Sequence, residues 1–285
     1  MSKVAIVTDS TSSLPLESIR GLNIQSVPLQ VIWGEETYRD GIDLTTDQFY
    51  ARLSEAKVMP TTSQPSPEAF RSVYENLLDS GYDILSVHIS SKLSGTMDSA
   101  IQARQTFPNA KIELVDSLST TLGMGFAILE AGRAAEQGAS LADCKAIVEK
   151  AVANSKIFFV LNTLEFLRRG GRIGGAQAFL GTALNLKPIL EVRDGRVEAL
   201  ERVRTFNKAQ DRLLELFQQE VGSRRPVRIG VLHANVPAEA ERLLERARAM
   251  FNISDVRETL VVPIGPTLGA HTGPGCLGLA FTVGL

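Results

Sequence analysis

One unit recurs along the first half of the chain. A short apolar run enters a turn rich in hydroxyls, and a stretch of helical spacing follows. KVAIVTDSTSSLP, YDILSVHISSKLSGT and AKIELVDSLSTTLGMG are its three copies. Runs of this kind predict parallel strands joined by helical crossovers. Ser, Thr and Asp in the turns suit helix N-caps. SPEAFRSVYENLLDSG carries Phe70, Val73, Leu77 and Leu78 at helical spacing and stops at Gly81.

The pattern changes near residue 151. KIFFVLNTLEFLRRGGRIGG reads as a strand, a short helix and a glycine-rich turn. KPILEVRDGRVEALERVRT reads as two strands joined at Asp194-Gly195, a hairpin signal. An amphipathic helix is expected over about Asn207 to Val221, and RPVRIGVLHANVPAEAERLLERARAMF repeats strand, turn and helix. The last segment, ETLVVPIGPTLGAHTGPGCLGLAFTVGL, reads as two strands around a Gly/Pro-rich loop. The expectation is an α/β protein of two domains. Residues 1–150 form a parallel-sheet α/β domain with hydroxyl-rich loops, and residues 151–285 an α+β domain.

Composition narrows the function classes. With 44% hydrophobic and 22% charged residues in 285, the chain reads as an ordinary globular protein. It has no apolar run near the roughly 20 residues that span a bilayer, so no stable membrane insertion is expected. The start is too soon polar for a signal peptide, and a cytoplasmic location is the simplest expectation. Cys144 and Cys276 suggest neither a disulfide framework nor a metal motif. The net charge of −2 is unevenly spread: residues 168–285 hold 17 Lys+Arg against 12 Asp+Glu. That half offers a basic face to an acidic partner, or simply a solvated surface. Aromatics at 6% leave few stacking platforms, so nucleic acid is not the expected partner.

In open parallel sheets ligands sit beyond the carboxyl ends of the strands, where all three hydroxyl-rich loops fall. One such loop needs no more than helix capping to explain it; three on one edge call for a ligand. HISSKLSGTMDSA places Ser90, Ser91, Ser94 and Thr96 around a single charge, Lys92. Hydroxyls with free helix N–H groups make an anion site without a full counter-charge, suited to one carboxylate or a weakly held phosphate. VMPTTSQPSPEAF adds Thr61, Thr62, Ser63 and Gln64 on a segment stiffened by Pro60, Pro65 and Pro67. No P-loop, no dinucleotide fingerprint after a strand, no G-x-S-x-G elbow and no metal spacing is found. No cofactor is therefore expected. The rival readings are a serine-type acyl hydrolase using Ser94 and His271 and a module for a phosphorylated metabolite. AQAFLGTALNLKPIL reads either as core or as cavity wall, through Phe179, Leu180 and Leu184.

VAIVTDSTSSLP, TTSQPSPEAF, SSKLSGTMDSA, VDSLSTTLGMG, LEFLRRGGRIGG and HTGPGCLG occur in that order. As an ordered set they resemble the DegV family, whose characterised members are bacterial fatty-acid-binding proteins, the FakB subunits of fatty acid kinase. The resemblance covers nearly the whole chain. It implies a two-domain DegV-like fold with a long-chain fatty acid, such as palmitate, in an apolar tunnel between the domains. It also implies that the protein makes no covalent change itself and presents the carboxylate to a separate ATP-binding kinase subunit that forms acyl-phosphate for phospholipid metabolism. By resemblance Thr62 and Ser94 bond the carboxylate, Ser63, Gly95 and Thr96 add donors beside them, and His271 joins that network. Arg172 is implied in kinase docking or phosphoryl transfer. The residues themselves agree with a carboxylate held by neutral donors, ionised and reachable. The acyl tail should then set affinity and the loops orientation.

Overall fold

The computed structural model describes residues 3–181 and 186–285. The first half builds a four-stranded sheet in the order Ile24–Val27, Lys3–Asp9, Tyr82–His88, Ile112–Asp116, with every pairing parallel. The two central strands, Lys3–Asp9 and Tyr82–His88, are buried on both faces because both are covered. Val4, Ile6, Leu85 and Val87 face the helices Leu122–Glu136 and Leu141–Ala153. Ala5, Val7 and Ile84 face Pro67–Asp79 and Thr96–Gln105. The recurring strand–turn–helix pattern is thus a doubly covered parallel sheet.

The second half builds a six-stranded mixed sheet. Its order is Arg196–Val203, Lys187–Arg193, Ser155–Val160, Leu277–Val283, Val227–His233, Val256–Pro263. Only the last pair is parallel. The hairpin turns at Asp194-Gly195 with φ of 50° and 79°, the primed geometry that matches strand twist. The helix expected from residue 207 spans Phe206–Val221. The Gly/Pro-rich loop near the end contains a short helix, Pro266–Thr272. Residue 150 lies within the helix Leu141–Ala153, and the second set of strands starts at Ser155.

A third sheet did not stand out in the sequence pattern. Glu36–Arg39, Gln30–Trp33 and Thr61–Ser63 pair antiparallel, with Thr62 opposite Val31. These strands of three or four residues are too short to show a period. Val31 and Trp33 share one core with Phe49 and Tyr50 and with second-half residues such as Phe159, Leu190 and Ile264. The helix Leu122–Glu136 lies between the two large sheets. Its Leu122 and Phe126 belong to that shared core, while Met124, Ile128 and Leu129 face the parallel sheet. A Cβ on Gly230 would come within 2.4 Å of Leu122 Cδ1, so strand and helix touch closely.

Candidate functional site

A cavity of about 890 Å³, open solvent included, lies among these layers. Its walls are mostly apolar, with Ile89, Leu93, Phe159, Val192, Leu232 and Ile264 among them. Cys276 also lines it, and burial pushes that thiol's pKa up, so it serves as an apolar wall group. Polar side chains gather at one place: Thr62, Ser63, Gln64, Ser94, Arg172 and His271.

Each is set by its element. Thr62 sits mid-strand in Thr61–Ser63, in a segment held by Pro60 and Pro65. Its Oγ1 lies 2.8 Å from Nε2 of His271, a residue 209 positions away. His271 closes the helix Pro266–Thr272, which Gly269 allows to pack on Phe49 and Tyr50, since a Cβ there would sit 2.7 Å from the Phe49 ring. Its ring also rests on Gly170, where a Cβ would lie 2.0 Å from Nδ1. Burial first, and the Arg172 charge second, push the His271 pKa down to about 4, so the ring is neutral near pH 7. Nδ1 is buried without a hydrogen-bond partner. A buried lone pair is less costly to strand than a buried N–H. The proton therefore sits on Nε2 and is donated to Thr62 Oγ1. That leaves the Thr62 hydroxyl proton free to be donated into the cavity.

Ser94 follows a tight turn in which the Leu93 and Ser94 N–H groups donate to the Ser90 carbonyl at 2.9 and 3.1 Å. Its Oγ accepts from the Thr96 N–H at 3.3 Å and lies 2.8 Å from Thr96 Oγ1. It therefore stands at the N-terminus of Thr96–Gln105, where the helix presents partial positive charge. Arg172 is exposed and donates Nε–H to the Leu93 carbonyl at 3.0 Å and an Nη1 proton to Gly170 at 2.7 Å. The fixed guanidinium stands beside both Ser94 and the His271 ring.

The structure thus brings Thr62, Ser63, Ser94, Arg172 and His271 to one cavity. Gly95 and Thr96 stand behind it instead. A Cβ on Gly95 would be 2.9 Å from Gln64 Nε2, so that glycine makes room for Gln64, while Thr96 is buried and engaged with Ser94. The other hydroxyls of that loop hold the fold together. Ser90 donates to the Gly195 carbonyl at 2.8 Å, Lys92 to that of Asp194 at 2.7 Å, and Ser91 to Asp116 at 2.6 Å. The hairpin tip is therefore pinned to the hydroxyl loop. Of the suggested wall residues, Phe179 stacks under the Arg202 guanidinium at 4.7 Å and Leu180 is 38% exposed; neither is among the residues lining the cavity. Leu184 lies outside the described residues.

Sequence reasoning passed over Thr120, Thr121, Thr267, Leu268 and Thr272, which also line the cavity. The signal for the first two was present, since they end the third hydroxyl-rich loop. The first such loop lies elsewhere: Ser10 donates to Asp40 at 2.7 Å and accepts from the Leu29 N–H. The Ser94–His271 dyad is not formed, because Thr62 occupies His271 Nε2 and Thr96 is the hydroxyl beside Ser94. Asp9, His88, Ser86 and Tyr74 do form a chain in the order of an Asp–His–Ser relay, with links of 3.1, 2.7 and 2.8 Å. All four are fully buried, so no substrate reaches them. Among the described residues no three His, Cys, Asp or Glu side chains group to hold a metal, and no helix is long and apolar enough to cross a membrane.

Comparison with known proteins bears on this geometry. A family model described as "Uncharacterised protein, DegV family" matches residues 3–283. A DegV domain-containing protein of Streptomyces coelicolor is 39% identical over 280 residues, covering 98% of each chain. Protein DegV of Bacillus subtilis is 35% identical over 279 residues, again 98% of each. Among solved structures, a DegV family protein from Thermus thermophilus described for its fatty acid binding superposes with a TM-score of 0.92 at 40% identity, over 99% of each chain. DegV of Bacillus subtilis, described as a fatty acid binding protein, gives 0.89 at 34% identity over the full length of both. A stearic acid-binding protein from Eubacterium ventriosum gives 0.89 at 28%, over 99% of this chain and 98% of that one.

Proposed function

We propose, from the premise that this chain belongs to the DegV family, that it binds a long-chain fatty acid in the apolar cavity and presents the carboxylate to a separate ATP-binding kinase subunit. The observation that carries the reading is the pairing of an apolar cavity with one cluster of neutral donors, Thr62 and Ser94, beside a single fixed cation, Arg172. The Thr62 hydroxyl, oriented by His271, and the Ser94 hydroxyl donate to the carboxylate oxygens. Neutral donors keep the head group ionised and leave it nucleophilic. The tail supplies most of the binding free energy, at about 0.8 kcal/mol per buried methylene.

The carrier itself forms no bond in this reading and needs no cofactor of its own. ATP arrives with the partner; a carboxylate oxygen attacks its γ-phosphorus, the bond from that phosphorus to the β–γ bridging oxygen breaks, and ADP leaves as acyl-phosphate forms. Arg172, at the cavity and exposed, is placed to meet the negative charge that builds there. Arg168 and Arg169 stand on the same turn, each paired with Glu165 at 2.9 and 2.6 Å, and extend the basic face a partner would meet. A cytoplasmic location is part of the same reading.

Mass spectrometry of the purified, denatured protein tests the ligand: a co-purified long-chain acid is expected, and a sugar phosphate in its place would overturn the reading. Reversing Arg168, Arg169 and Arg172 to Glu tests the coupling. Acyl-phosphate formation with the kinase subunit should fall further than palmitate affinity; a loss confined to palmitate affinity refutes the docking role.

A further inference from the structure

The turn that leads into Leu122–Glu136 holds two non-glycine residues at positive φ, Leu118 at 48° and Thr121 at 47°. For a β-branched residue such a backbone is a true outlier, and strain of this kind is kept only where the surroundings enforce it. Thr121 stands at the N-cap of the helix, where a threonine hydroxyl ordinarily turns back to a free N–H of the first turn. It makes no such bond. Thr121 is 3% exposed, and its Oγ1 has no hydrogen-bond partner among the described residues; the neighbouring Thr120 Oγ1 is buried and likewise without one. Both residues line the cavity. The local backbone thus forgoes a cap and holds two hydroxyls unmet at an apolar wall, an arrangement unfavourable in itself.

Their place in the cavity is fixed by neighbours. The Thr121 N–H donates to the Thr11 carbonyl. Thr267, whose own buried Oγ1 also lacks a hydrogen-bond partner among the described residues, is tied to that same loop through Asp40, which accepts from the Thr267 N–H at 3.3 Å and from Ser10. Thr267 lies one turn before His271 on its helix, about 6 Å along the axis. The Ser119 carbonyl beside them accepts from the Ser90 N–H at 2.9 Å, so the two hydroxyls line the cavity on a loop joined to the turn that carries Ser94.

We infer that Thr120 and Thr121 form a second polar subsite that takes an oxygen carried by the acyl chain close to its carboxylate, a hydroxyl or keto group. The inference rests on the fatty-acid reading above and narrows its ligand class to oxygenated long-chain acids. A pair of hydroxyls supplies both a donor and an acceptor, the complement of a chain hydroxyl. A plain methylene in the same place leaves them unmet, so the subsite discriminates against the unsubstituted acid.

Calorimetric titration of the delipidated full chain with palmitate, β-hydroxypalmitate and ω-hydroxypalmitate tests this. β-Hydroxypalmitate should bind roughly tenfold more tightly than palmitate, the worth of about one hydrogen bond, and the ω-hydroxy acid should gain nothing. In a Thr120→Val/Thr121→Val protein the ratio of the first two affinities should fall to about one. Thr121→Ser, which keeps the hydroxyl, should retain the preference, and thermal melting of each variant reports whether it folds. Equal affinity of the wild type for palmitate and β-hydroxypalmitate overturns the inference while leaving the fatty-acid reading intact. So does a preference that survives in the double valine variant. Failure of all three acids to bind overturns both. If the valine variant does not fold, the wild-type comparison of the three acids decides.

Discussion

Replacing Thr62 by Val keeps the shape and β-branching that suit the strand opposite Val31 and removes only the hydroxyl. Two effects follow, on two different states. In the free protein, His271 Nε2 loses its partner at 2.8 Å while Nδ1 already has none. A stranded buried N–H costs about 1–3 kcal/mol, which should appear as a lower melting temperature. In the complex, one bond to an ionised carboxylate disappears, a bond worth about 1.5–3 kcal/mol. Alone this weakens binding by roughly 10- to 100-fold. The freed Nε2–H can donate to the carboxylate instead, which returns part of the loss, so the expected weakening is near the lower end, about tenfold. Thr62→Ser should restore both affinity and melting temperature. The assay is palmitate titration of delipidated protein beside thermal melts, with nitrogen NMR of the His271 ring. Wild-type palmitate affinity in Thr62→Val refutes the assignment of Thr62 as a carboxylate donor. A ring proton found on Nδ1 refutes the hydrogen-bond order from which that assignment was argued.

Three further outcomes are expected. Shortening the acid by one methylene should weaken binding roughly fourfold at each step while the chain stays within the cavity; affinity indifferent to chain length would remove the tail as the main contributor. Gly170→Ala puts a Cβ 2.0 Å from His271 Nδ1 at a position of ordinary φ, −74°. The ring must move, and palmitate affinity should drop about tenfold or more with the overall fold intact by circular dichroism. The lowered pKa of His271 sets a pH dependence. Between pH 6.5 and about 4 the unfolded chain holds a proton on this residue that the folded protein does not. Its contribution to stability is thus full above pH 6.5 and is lost as pH falls towards 4, at most about 3 kcal/mol. Denaturant titrations should show His271→Gln losing less stability than the wild type across that window. Asp40, whose pKa burial raises, acts with the opposite sign in both proteins and cancels in the difference.

The parallel sheet was legible because its strands and turns repeat locally, and the hairpin because Asp194-Gly195 is a two-residue signal. The small sheet was not, since Glu36–Arg39 and Thr61–Ser63 are too short and too polar to show a period. The donor cluster was legible in its composition and hidden in its geometry. A sequence shows that Thr62 and His271 are hydrogen-bonding residues; it does not show that a 209-residue separation closes to one bond. Loop composition also overstated the ligand contacts: of the hydroxyls at Ser90, Ser91, Ser94 and Thr96, only that of Ser94 belongs to a residue lining the cavity. Hydroxyls serve capping and docking as readily as recognition, and only packing tells these apart.

The first two turns of the helix Leu122–Glu136, from Leu122 to Leu129, are buried on every side because both large sheets lean on them. Prising the two halves apart would bare those turns, so a clamshell opening would be a costly route for loading cargo. On the fatty-acid reading the acid enters by a local parting instead, and the Asp194-Gly195 tip, moored to Ser90 and Lys92 by two polar ties, is an element whose release costs little. Those moorings are cheap to undo and quick to remake, whereas the packing of the buried turns between the sheets is neither.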